Sequence, residues 1–264
     1  IESALNHSLP KLVELDDIKG DLQIHSDFDI ETSHDLGLSS MKDIVKKADA
    51  LGYEFLAFTE HNPSQRGHND RQIVDILKHK KEYVEKLNYS MNIPLRQGSA
   101  GRLRKVYNSL EIDITPTGKL PLSDLAMQTL DFALVSIHSS FRLSKKDMTE
   151  RVLSGLSHPK VKIFAHPTAR KLNEREGVEL DWVKIFDFCT KNNKWIEINA
   201  DPMRLDLPDF LVREAVKSGV KLTLGTDSHH IDHMDNMQFG LSVARRGWAE
   251  GSDIVNTRSL AEFE

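Results

Sequence analysis

Short apolar runs punctuate the chain at Asp21–His25, Phe55–Thr59, Ser109–Ile114, Phe132–His138, Val161–His166, Trp195–Asn199 and Lys221–Asp227. Each is rich in Ile, Val, Leu, Phe or Ala, the length and make-up of strands buried on both faces. Between the runs, apolar residues recur at helical spacing. Met41, Ile44, Val45, Ala48 and Leu51 form one stripe, with Ser39 and Ser40 as candidate N-caps and Gly52 as its stop. Ile73, Ile76, Leu77, Tyr83 and Leu87 form a second, and Leu180, Val183, Ile185, Phe186 and Cys189 a third. Leu207, Leu211, Ala215 and Val216 form a fourth, stopped by Gly219. Strands alternating with helices predict a parallel α/β architecture, which a closed barrel and an open doubly wound sheet both satisfy. Residues 1–19 are mixed and polar and read as a lead-in to a single domain over 20–264.

A length of 264 residues suits one such domain, and 39% hydrophobic with 28% charged residues is an ordinary globular composition. The net charge of −5 argues against broad attraction to nucleic acid. With no apolar run near the ~18 residues of a membrane span and no signal peptide at the start, the expected location is the cytoplasm. The chain does not begin with Met and reads as a piece of a longer one. One cysteine, Cys189, excludes a disulfide framework and a cysteine metal cluster. The glycine-rich, then basic stretch Gln97–Lys105 reads as a solvated loop or hairpin; its Gly-x-x-Gly lacks the strand–turn–helix context of a phosphate loop.

Twelve histidines are the unusual feature, and their positions matter more than their number. The C-terminal ends of the seven runs carry His25, His61, Glu111, His138, His166, Asn199 and Asp227, with His229 two residues further on. In parallel α/β folds that end gathers the active site. Imidazole with carboxylate suits zinc, manganese or iron, and a set this large exceeds one tetrahedral ion, so two or three ions are expected. Asp113 alternates with Glu111 and faces the same side, either supporting the site or only capping the strand ends. His7, His68, His79 and His158 lie in predicted helices, loops or the lead-in, and His230 and His233 read as cap or solvated residues.

The segments Gln23-Ile-His25-Ser26, Thr59-Glu60-His61, Glu111, His138, His166-Pro167 and Asp227-Ser-His229 resemble the motifs of the PHP family, the polymerase and histidinol phosphatase domain. Val135–Arg142, Ala165–Arg170, Glu174–Gly177, Glu197–Leu205 and Gly225–His229 resemble, more closely, the C-terminal PHP domain of bacterial and archaeal family X DNA polymerases. The lead-in resembles the linker before that domain. The resemblance implies a distorted seven-stranded, TIM-like barrel with its metal site at the C-terminal strand ends. It assigns His25 and Asp227 to one ion, with Glu111 bridging to a second held by His138 and His166. His61 and His229 would hold a third, completed by Asp35, with His34 as the alternative. His61, Glu111, His138 and Asp227 would carry the chemistry.

Two positions depart from the family pattern. Gln23 stands where the family has His, so the first ion is expected to bind weakly or to lose a ligand; Glu60 replaces Asp. Arg142, Arg170, Lys171, Arg175 and Arg204 follow strand ends and are expected to bind phosphate. The expected activity is metal-dependent phosphoester hydrolysis, acting on DNA 3′ ends as an exonuclease or end-processing enzyme beside an upstream polymerase domain. A small-molecule phosphatase of the histidinol-phosphate type and a metal-poor, non-catalytic scaffold are the alternatives.

Overall fold

The computed structural model describes residues 2–32, 34–91 and 102–264. The glycine-rich part of the stretch 97–105 lies outside them. Helix α1 (Glu2–Leu5) precedes β1 (Gly20–Ile24), α2 (Met41–Ala50), β2 (Phe55–Phe58) and α3 (Asp70–Met91). Then come β3 (Lys105–Asn108), β4 (Glu111–Asp113), α4 (Asp124–Met127), β5 (Ala133–Ser136) and α5 (Lys145–Leu156). The chain continues through β6 (Val161–Phe164), α6 (Trp182–Lys191), β7 (Trp195–Asn199), α7 (Asp209–Lys217), β8 (Leu222–Gly225), α8 (Met237–Arg246) and α9 (Leu260–Phe263).

Strands pair in parallel in two sheets, β1-β2-β3 and β4-β5-β6-β7-β8. Bridges join the sheets on both sides. Ile24 pairs with Ser228 beyond β8, where the His25 N–H reaches Ser228 O at 2.8 Å and the Asp227 N–H reaches Gln23 O at 3.0 Å. On the other side His61, beyond β2, pairs with Glu111 of β4. The parallel α/β expectation therefore holds.

The helices start where the sequence offers caps. Ser40, Ser123, Ser144 and Asp181 each accept a backbone N–H three residues on, and Gly52 and Gly219 sit at positive φ where two helices end. Ser39 caps nothing at this end and instead accepts the Ile231 N–H at 2.9 Å. Leu180 and Leu207 precede their helices, and Val183 is 79% exposed, so the third and fourth stripes are narrower than their spacing predicts.

The run Ser109–Ile114 is only the second half of a longer extended segment. Its first half, β3, opens on polar Lys105 and carries only Val106 and Tyr107 before Asn108. Within the lead-in, Val13 is fully buried; its N–H reaches Ala249 O at 3.1 Å and its carbonyl accepts Arg245 Nη1 at 2.7 Å.

Two apolar clusters hold the fold. The larger joins strands to the surrounding helices. The smaller takes Leu22, Phe55, Ala57, Leu134, Ile163, Ala165 and Trp195 from five strands and their ends, with Tyr107, Phe132 and Val255. Phe263 of α9 packs against it, its ring 4.6 Å from Phe55 and 5.7 Å from Trp195, the first residues of β2 and β7. The N-terminal ends of the strands are thus sealed by aromatics, and the opposite ends are left to polar groups.

Candidate metal centre

Glu111, fully buried at the start of β4, is the hub of the polar end. Its Oε1 lies 2.7 Å from His166 Nε2 and 3.3 Å from His138 Nε2; its Oε2 lies 3.3 Å from His25 Nε2 and 3.8 Å from His61 Nδ1. His25 Nε2 is also 3.2 Å from Asp227 Oδ1, and its ring stacks on His229 at 4.2 Å and on His61 at 4.7 Å. Two donors sit on left-handed backbone, His166 at φ 25° and Asp227 at φ 54°, the kind of strain that folds tolerate at functional sites.

Donor atoms fall into four overlapping groups among the described residues: His25 with Glu111 and Asp227; Glu111 with His138 and His166; His25 with His61 and His229; and His34 with His61, Asp113 and His138. His25, His61, Glu111 and His138 each belong to two groups, so the groups form one connected set. The chemistry of the set fits a divalent cation. His61 Nδ1, His166 Nδ1 and His229 Nε2 are buried without a hydrogen-bond partner, an arrangement that is costly unless something else engages them. Imidazole nitrogens beside two buried carboxylates are what zinc, manganese or iron take as ligands.

The two third-site candidates, Asp35 and His34, are placed differently. Asp35 is exposed and lines the cavity, but it belongs to none of the four groups, whereas His34 Nδ1 lies 3.1 Å from Asp113 Oδ2. The path of the loop sets both positions. Gly37 N–H binds Ser26 O at 3.0 Å, Leu38 N–H binds His229 O at 2.7 Å, and a Cβ at Gly37 would stand 2.4 Å from His25 O.

Asp113 acts through two rings. Its Oδ1 accepts His138 Nδ1–H at 2.6 Å while its Oδ2 faces His34. Burial opposes its charge, but the bonds from His138 and His34 outweigh this and hold its carboxyl well below the usual range. The carboxylate thereby leaves His138 Nε2 directed at Glu111, the arrangement that raises a histidine's basicity toward a metal. Asp113→Asn is expected to weaken divalent-ion binding by ~10–100-fold, read by calorimetric titration of the metal-free chain.

Protonation without metal follows from the same contacts. Burial works against charge on His25, yet Asp227 and Glu111 outweigh it and push the ring up to about 10. Burial takes His61 down to about 3. His25 thus contributes stability that is complete below its unfolded value near 6.5 and is lost as pH rises through 10; His61 contributes stability present above 6.5 and lost as pH falls toward 3. The chelated chain is expected to melt highest near neutrality and lower at pH 4 and pH 10, measured by thermal melts across that range.

A cavity of about 200 Å³ opens over the donors, and Lys171, Arg175, Arg204 and Phe141 complete its wall. Arg175 lies 4.0 Å over the Phe141 ring and donates Nε–H to Ala169 O at 2.9 Å. Arg204 Nε is 3.5 Å from Asp227 Oδ2, and its Nη1 is buried without a partner. Arg142 and Arg170 are not among the lining residues. Arg142 is exposed, and Arg170 is spent on the loop after β7, donating to the carbonyls of Arg204 and Leu205.

Residues 21–201 match the PHP domain, more than half of the chain. The chain belongs to the PHP domain family. It is 33% identical over 255 residues to the Bacillus subtilis protein named DNA polymerase/3'-5' exonuclease PolX, covering 96% of this chain and 42% of that one. It is 27% identical over 206 residues to a probable phosphatase of Acetivibrio thermocellus, covering 72% of this chain and 73% of the other. Among solved structures it resembles the Escherichia coli phosphotriesterase homology protein, at 11% identity and a TM-score of 0.32 over 78% of this chain and 81% of that one. The family and its relatives make this PHP domain a metal-dependent phosphoesterase. Asp227 and His229 lie beyond the matched residues, and their place in the site rests on geometry.

The departure at position 23 has a clear structural consequence in this PHP domain. Gln23 Nε2–H donates to Glu111 Oε2 at 2.8 Å and to Asp227 Oδ1 at 3.3 Å, offering protons where an imidazole would offer a lone pair. Two buried groups escaped the sequence reading. Glu197 Oε2 accepts the His166 N–H at 2.7 Å, and burial beside Asp227 keeps its carboxyl well above the ordinary range. Lys80 of α3 is buried against Glu60. Glu197 is visible in the sequence as an acid inside an apolar run, and Lys80 as a charge standing in register with a core stripe.

Proposed function

We propose that this chain cleaves phosphate esters at the 3′ ends of DNA, as the part of a family X polymerase that follows a polymerase domain. The observation that carries this reading is the single cavity in which the carboxylate–imidazole set meets Lys171, Arg175 and Arg204. It is supported by the identity with the PolX protein, of whose length the chain spans 42%, so an upstream domain joined through residues 1–19 belongs to the same proposal. The bridges at Ile24–Ser228 and His61–Glu111 favour a distorted ring of seven strands, β3 and β4 counting as one interrupted strand.

In this scheme His25, Glu111, His138, His166, Asp227 and His229, with His61 and either His34 or Asp35, hold two or three divalent ions. Such ions, when bound, lower the pKa of a water and neutralise charge developing on phosphorus. The chain's own groups do the rest. Arg175, held by Phe141 and the Ala169 carbonyl, presents a pre-set guanidinium, and Arg204 adds a second fork for bidentate contact with phosphate oxygens. Asp113 keeps the His138 Nδ1 proton and so fixes which nitrogen faces the site.

With Mn²⁺, a single-stranded oligonucleotide is expected to lose mononucleotides from its 3′ end. Release of inorganic phosphate from histidinol phosphate, with no mononucleotides from DNA, would reject this reading in favour of a small-molecule phosphatase. That second reading draws on the probable phosphatase relative and on the small volume of the cavity.

A further inference from the structure

Helix α3 buries Ile73, Leu77, Lys80, Val84 and Leu87 along one face. Four of these continue an apolar stripe, and the register calls for a fifth apolar residue where Lys80 stands. Lys80 is nevertheless fully buried, its ammonium paired with one carboxylate and bonded to two backbone carbonyls. Nζ lies 2.5 Å from Glu60 Oε2 and 3.1 Å from Phe58 O, and it donates to Ser109 O as well. Glu60 is 1% exposed and uses its other oxygen on Ser26, accepting the backbone N–H at 3.1 Å and Oγ–H at 2.5 Å.

A buried ion pair is seldom the most stable filling for its volume, and well-packed apolar residues often do as well or better. What this one does is geometric. Ser26 follows His25 directly, Glu60 precedes His61 directly, and Ser109 lies two residues before Glu111. The ammonium therefore ties the end of β2 to the break between β3 and β4, and Glu60 carries the same tie across to the segment leaving β1. None of the three groups lines the cavity, and Glu60 belongs to none of the four donor groups. We infer that Lys80, Glu60 and Ser26 form a buried positioning unit that sets where His25 and His61 stand relative to Glu111, and through them the affinity of that side of the centre for divalent ions. Glu60 and Lys80 then work as a matched pair, with the acid's length suited to this partner. The inference rests on the metal-centre reading for its effect on affinity, but not for its effect on the rings.

The test uses the full chain with Lys80→Met and Glu60→Gln combined, so that neither charge is left alone. In chelator, the imidazole nitrogen resonances of His25 and His61 are expected to shift from their wild-type positions while those of His233, on the surface, do not. On titration with Mn²⁺, affinity is expected to fall by ~10–100-fold, the usual effect of removing groups that orient ligands. A variant that melts lower but keeps both the ring resonances and the Mn²⁺ affinity would show a purely structural pair and overturn the inference. Should the double variant not fold, Ser26→Ala removes only the hydroxyl bond to Glu60. Weaker Mn²⁺ binding with shifted His25 resonances supports the unit, and unchanged values in both overturn it. If wild type binds no Mn²⁺, the metal reading fails, and the ring resonances still decide the positioning.

Discussion

Glu111→Gln is expected to lower phosphoester turnover by about a thousandfold. A carboxylate that serves several ligand sets contributes on the order of several kcal/mol to the charge balance of the transition state, and each 1.36 kcal/mol is a factor of ten in rate. The contacts make Glu111 the most sensitive single position. Four imidazoles approach its two oxygens, between 2.7 and 3.8 Å, and Gln23 donates to Oε2 at 2.8 Å. An amide of the same size keeps the packing but turns one acceptor into a donor aimed at nitrogen atoms. Turnover of an oligonucleotide under saturating Mn²⁺, with a melt in chelator to show that the variant folds, checks this. A loss of less than tenfold would remove Glu111 from the centre of the mechanism.

Removal of metal is expected to abolish turnover and to lower the melting temperature by about 10 °C. Ligand held at ~1,000 times its Kd stabilises a fold by about 4 kcal/mol, and for a chain of this size each kcal/mol is worth roughly 2–4 °C. The unpartnered nitrogens of His61, His166 and His229 are the groups that gain most from an ion. Melts with chelator and after readdition of Mn²⁺ or Zn²⁺ read the effect, together with metal content by elemental analysis. Equal melting temperatures in both conditions, with no metal in the isolated chain, would favour the scaffold alternative.

Much of the centre is legible along the chain because parallel strands deliver their ends to one place. A histidine or acid closing an apolar run therefore carries positional information that a histidine elsewhere lacks. His25, His61, His138, His166 and Asp227 are read that way, whereas Glu111 stands at the start of β4. Groups whose placement depends on a loop are not. His34 and Asp35 are neighbours in sequence, and the loop that places His34 beside Asp113 is held by contacts the sequence does not announce, among them Gly37 to Ser26, Leu38 to His229 and Thr32 to Pro63. Likewise Arg170 and Arg175 lie on one hairpin, closed by the Lys171–Arg175 bridge, yet one turns back to carbonyl groups while the other lines the cavity. Strand β3 is hidden by its polar start, and Lys80 by a helical stripe that reads as core whatever occupies one of its positions.

Phe263 closes the strand ends farthest from the donor groups, among Phe55, Tyr107, Phe132 and Trp195. All the donors lie at the other end. A proteolytic clip near Ser259 would therefore leave every ligand in sequence and in place while baring an aromatic-lined hollow to water. Such a nicked molecule would still bind ions, yet it would become sticky, and the first sign of damage would be self-association rather than loss of catalysis.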